Sequence, residues 1–160
     1  MIVVIQQISN LMDEELREVH QLCQVLEEEQ DAVKTKNIDA MNGTLTKKIE
    51  YLEKLEALDN QRKNLLQQAG YENNKEGFES LLRTNTPSDT ALMEKWHELE
   101  QEMAKCRQLH QVNTQILDIG QRQVQQVLGI LLGKPDSEAD TYNQSGSKNA
   151  SLTTHTYAKA

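Results

Sequence analysis

Residues 92–131 read LMEKWHELEQEMAKCRQLHQVNTQILDIGQRQVQQVLGIL, and the spacing inside this stretch decides the fold. Leu92, Trp96, Leu99, Met103, Cys106, His110, Asn113, Leu117, Gly120, Val124, Val127 and Leu131 alternate steps of four and three without a break. Such a heptad seam is what a long helix shows when it packs along one side. At about 1.5 Å per residue, a helix from Ser88 to Leu132 runs roughly 65–70 Å. Thr86-Pro87-Ser88-Asp89 supplies a start: an N-cap, a proline at the first helical position and an acid three residues after the cap. Gly133-Lys134-Pro135 ends it.

Upstream, two further helices are expected. From about Ile5 to Thr35, the residues Ile5, Ile8, Met12, Leu16, Val19, Cys23, Leu26, Gln30 and Val33 step by threes and fours. Asn37 has the character of an N-cap, with Asp39 in the first turn of a second helix. That helix carries Ile38, Met41, Leu45, Ile49, Leu52, Leu55, Leu58 and Leu66 and stops at Gly70. A connection of two or three residues makes the first two helices an antiparallel hairpin. Between hairpin and long helix, Glu76 to Arg83 with Phe78, Leu81 and Leu82 on one side predicts a short helix.

Composition agrees. In 160 residues there are 4% aromatics, one Trp and two prolines, too few for a β-sandwich or barrel. Lys plus Arg number 17 against 25 Asp plus Glu, a formal charge of −8. That disfavours nucleic acid, which needs a basic field. The charge lies before Lys134, with 14 basic and 22 acidic residues there and 3 of each after it. The expected organisation is a helical domain over 1–134 and a flexible polar tail over 135–160. The fold class expected is all-α: an antiparallel bundle of three long helices, with a short connecting helix before the last. No apolar stretch approaches the roughly 20 residues of a membrane span. The opening Met1-Ile-Val-Val-Ile5 is too short for a signal peptide. The chain is expected to be soluble and cytoplasmic, without membrane insertion.

Candidate chemistry is sparse. Glu94-Lys-Trp-His97 has the Glu-x-x-His spacing of di-iron bundles, but no second copy accompanies it. His20-x-x-Cys23 and Cys106-x-x-x-His110 each share a helix face and together have the donors of a zinc site. Against this, His20 points away from the seam that holds Cys23. Cys23 and Cys106 are too few and too distant to suggest a disulfide framework, so buried, reduced thiols are expected. No phosphate loop or nucleophile elbow is present; neither catalysis nor a cofactor is expected. His110 and Asn113 in mid-seam are read as register devices. Glu27-Glu28-Glu29 is read as a solvated face.

The far end of the long helix is richer in apolar residues than one seam needs. Ile116, Ile119, Leu128, Ile130 and Leu132 lie off the line continued by Val124, Val127 and Leu131. Either the chain's own short helix near Phe78 or its Met1–Ile5 start covers them, or they offer a face to a partner helix.

The chain resembles the FlgN family of flagellar export chaperones. Four features carry the resemblance: the acidic stretch Leu26-Glu-Glu-Glu-Gln30 with the break at Asn37-Ile-Asp-Ala-Met41; Lys47-Lys-Ile-Glu-Tyr-Leu-Glu-Lys-Leu55 followed by Arg62; Trp96 followed by Cys106-Arg-Gln-Leu-His-Gln-Val-Asn113; and Thr141-Tyr142-Asn143-Gln-Ser-Gly146 in the tail. The resemblance implies a chaperone that binds hook–filament junction (hook-associated) subunits through their terminal helical segments. It would prevent their premature association and deliver them to the type III export gate. It places substrate recognition on the last helix and the export-gate contact on Tyr142. A structural module that only self-associates, as a homodimer along the long seam, is the alternative that the heptads also suit.

Overall fold

A computed structural model describes residues 1–88 and 90–132. These form four helices and no strand: α1 (Ile2–Lys34), α2 (Ile38–Gln68), α3 (Lys75–Asn85) and α4 (Thr90–Leu131). The protein is all-α, as its periodicity predicts. Inside α4 the chain divides into two units, Met1–Ile116 and Leu117–Ala160, and the contacts described next belong to the first. No helix among the described residues is long and apolar enough to cross a membrane.

Local chemistry sets the hairpin. Residues Thr35–Asn37 link α1 to α2. Lys36 takes a left-handed φ of 54°, while Asn37 N–H donates to Ala32 O and Lys36 N–H to Val33 O. This is the Schellman closure, built here on a lysine. Asn37 Oδ1 then accepts from Ala40 N–H at 3.1 Å and caps α2. The far end of α2 closes in the same way on Gly70, whose φ is 83°. Helix α1 begins at Ile2, a turn earlier than the apolar period suggests, and Val4 and Ile5 pack on the core.

Ile8, Met12, Val19, Cys23, Leu26 and Val33 of the expected α1 seam are buried. The α2 seam is a correction. Ile38, Leu45, Ile49 and Leu52 are exposed, while Thr44, Leu58 and Leu66 are buried. Met41, Lys48, Tyr51, Leu55, Arg62 and Leu65 are half-buried beside them. The inward line therefore runs one position from the apolar one in the first half of the helix. Ion pairs across the hairpin account for this: Arg62 Nε meets Glu15 Oε1 at 3.1 Å and Lys48 Nζ meets Glu29 Oε2 at 2.7 Å. Glu29 is thus buried and paired rather than solvated, and α1 and α2 run antiparallel.

Helix α3 is capped by Asn74, whose Oδ1 accepts from Gly77 N–H at 2.7 Å. Phe78, Leu81 and Leu82 are fully buried. Thr86 closes α3 by bonding back to Leu82 O through both N–H and Oγ1, so it does not cap α4, which starts at Thr90. Trp96 of α4 meets the Phe78 ring at 4.5 Å between centroids. The Arg62 guanidinium lies 5.2 Å from the centre of each ring and also holds Asp59 at 2.7 Å.

Helix α4 runs parallel to α1, with Lys95 on Asp13 at 2.7 Å, His20 opposite Glu102 at 3.6 Å and Asn113 Nδ2 donating to Leu26 O at 2.9 Å. Leu92, Trp96, Leu99, Cys106 and Asn113 of the expected seam are buried; Met103 and His110 are exposed. Asn113 also donates to Glu29 Oε1 at 3.0 Å and so fixes register, a role His110 does not share. Cys23 and Cys106 are paired as a disulfide with Cα atoms 5.3 Å apart, which corrects the expectation of separate reduced thiols.

Candidate functional site

The second unit is described to Leu132. Its Ile119, Val124, Val127, Leu128, Ile130, Leu131 and Leu132 are between 49% and 75% exposed. Stepping 100° per residue, these side chains and half-buried Leu117 sweep an arc of roughly 220° around the axis. A helix that buries one stripe needs only about half of that. Asp118, Arg122, Gln125 and Gln126 occupy the remainder, Gln121 and Gln123 interrupt the arc, and Arg122 is the one charge between Ile119 and Leu132. The result is an apolar, almost uncharged helical surface in a chain of net charge −8. Ile116, the remaining residue expected here, belongs to the first unit and is half-buried.

Both of the expected internal covers make their contacts within the first unit. Phe78 is engaged with Trp96 and Arg62, near the start of α4, and Val4 and Ile5 pack on the core of the first unit. Leu128, Ile130 and Leu132 stay open. Covering apolar surface is favourable through the hydrophobic effect, which is non-directional and proportional to the area covered. Another amphipathic helix is the natural complement.

The other candidate sites come apart or resolve into ion pairs. Cys23 pairs with Cys106, His20 stands beside Glu102, and His110 is exposed. No group of three His, Cys, Asp or Glu side chains among the described residues is placed to hold a metal ion. His97 Nδ1 lies 3.4 Å from Glu100 Oε2, a helix-surface contact. A hollow of about 510 Å³ is lined by Arg62, Lys75, Trp96, His97, Glu100 and Arg107, among others. Within it Lys75 and Glu100 neutralise each other, Lys75 Nζ being 2.6 Å from Glu100 Oε1. Burial pushes the Glu100 carboxyl upward, yet its bonds to Lys75 and His97 prevail and leave it below the usual range. The bond to Glu100 raises Lys75.

Sequence reasoning missed two buried carboxylates, Glu15 and Glu29. Burial pushes the Glu15 carboxyl up despite the opposing pull of Arg62. A signal was available: Glu15 and Glu29 lie two heptads apart on α1, as Lys48 and Arg62 do on α2.

Tyr142 and the tail over 135–160 lie outside the described residues. No curated protein and no solved structure matches the chain. The family model for the FlgN protein does match, over residues 1–150, and therefore takes in all four helices and Tyr142. That span is nearly the whole chain, which belongs to the FlgN family of flagellar export chaperones.

Proposed function

We propose that this chaperone takes hook–filament junction (hook-associated) subunits onto Ile119, Val124, Val127, Leu128, Ile130, Leu131 and Leu132, with Ile116 at the near edge. The ligand is an amphipathic helix from a subunit's terminal segment. Covering that helix keeps subunits from associating before export. In this reading the protein works in the cytoplasm as a three-helix antiparallel domain over 1–134. The tail over 135–160 carries the subunit to the export gate through Tyr142. One observation supports it above the rest: the apolar arc on α4 is twice what one packed stripe requires, and its side chains stand 49% to 75% exposed among the described residues. Family membership supplies the export role.

Release requires no bond chemistry. A surface that binds through apolar area alone lets go when a competitor covers the same helix or the subunit is drawn away. Size-exclusion chromatography of the full chain with a helical C-terminal fragment of a junction protein tests the reading. A stable one-to-one complex is expected. Absence of a complex, with tight dimerisation of the chain instead, would establish the self-associating module.

A further inference from the structure

We propose that Cys23 and Cys106 form a reversible redox staple that locks α1 to α4. They are the chain's two cysteines, separated by 83 positions. The fold brings them face to face, with Cα atoms 5.3 Å apart, inside the span a disulfide needs. Both are buried, at 3% and 7% exposure, so another chain's cysteine is kept out, and a small disulfide reaches a sulfur when α1 and α4 part locally.

The surroundings accommodate the reduced state equally well. Cys23 Sγ lies 3.7 Å from Glu102 O on α4, and Cys106 Sγ lies 3.6 Å from Val19 O on α1. Each thiol therefore has a backbone acceptor on the opposite helix, and the arrangement is reciprocal. Opening the bond therefore leaves neither thiol without an acceptor. The Glu102 carboxylate is a further acceptor, 3.8 Å from Cys23 Sγ. The reduced pair is thus a hydrogen-bonded dithiol that closes when the disulfide pool rises.

Closure conserves atoms and electrons. The two thiols lose two protons and two electrons, and the sulfur–sulfur bond forms. A small-molecule disulfide of the glutathione type accepts the electrons and protons and departs as two thiols, by way of a mixed disulfide. A thiol reductant reverses the step. Closure ties together residues far apart in sequence, which restricts the unfolded chain strongly.

The test uses the full chain reduced with dithiothreitol, then equilibrated with oxidised glutathione, with thiols alkylated under denaturing conditions. Two alkylated thiols are expected before oxidation and none after, with a mass loss of about 2 Da and a Tm rise on the order of 10 °C. Persistence of two thiols, a stable glutathione adduct, or disulfide-linked dimers would overturn the proposal. So would a closed bond that cannot be reduced without unfolding the chain. Cys106→Ser is expected to melt at one temperature with or without oxidant; a rise in this variant also refutes the staple. The alkylation result decides the matter even where the variant folds poorly.

Discussion

Leu131 is 75% exposed in the free chain, which makes it the most informative position on the proposed docking face. Full burial of a leucine is worth about 1.5–3 kcal/mol, so covering three-quarters of it gives roughly 1–2 kcal/mol. Leu131→Ala forfeits most of that. At about 1.4 kcal/mol per tenfold, the Kd for a fluorophore-labelled helical peptide from a junction protein rises roughly 5–30-fold, read by fluorescence anisotropy. Leu131→Asp adds the cost of drying a carboxylate inside an apolar contact, and the loss exceeds about 100-fold. The free protein barely notices either change, because an exposed position shifts stability by about 0.5 kcal/mol or less. Helicity by circular dichroism should therefore stay within a few per cent of wild type, with Arg122→Gln, on the polar side, as the binding control. Binding of Leu131→Asp within about twofold of wild type would refute the reasoning. So would parallel loss of binding and helicity, since it would mean that Leu131 holds the fold together.

Arg62→Leu strands the buried Glu15 carboxylate and is expected to cost about 3–5 kcal/mol in urea unfolding, as broken buried pairs do; a cost near 1 kcal/mol would reduce the residue to a surface contact. Glu15 itself gives a pH signature. Its folded pKa lies above the unfolded reference of 4.5, so the native state binds the proton more tightly and this group's contribution falls as pH rises from 4.5 through the raised value. Glu15→Gln removes that slope, so the variant should gain on wild type between acid and neutral pH; a constant difference contradicts the assignment. Lys36 holds a left-handed φ of 54°, and Lys36→Gly should stabilise the chain by about 0.5–1 kcal/mol in thermal melts. Tyr142→Ala should leave subunit affinity unchanged and lower export in a secretion assay; equal loss of affinity would merge two roles that we keep apart.

What the sequence revealed and what it hid divide along one line. Contacts made by apolar residues were legible. The α1 seam, the short helix around Phe78 and the surplus at the end of α4 all follow from period and count. Contacts made by charged residues were not. Scoring leucines on α2 selects Ile38, Leu45, Ile49 and Leu52, which face outward, because the hairpin is fastened by Glu15–Arg62 and Glu29–Lys48. Hydrophobic period has no means of flagging a glutamate whose partner lies on another helix. The Cys23–Cys106 pairing was hidden for a related reason. It depends on the register between α1 and α4, which Asn113 and Lys95 help to set, and register is a three-dimensional quantity. Thr86 was ambiguous because a threonine between two helices suits the end of one as well as the start of the next.

The guanidinium of Arg62 has a consequence of its own. It reaches a carboxylate on α1, a carboxylate on its own α2, a ring on α3 and the indole on α4, so no helix of the first unit departs without disturbing the other three. Melting of that unit is accordingly expected to be a single transition, and a biphasic melt would contradict this. The chain carries its own optical reporter of the event, because the indole in that cluster is its lone tryptophan.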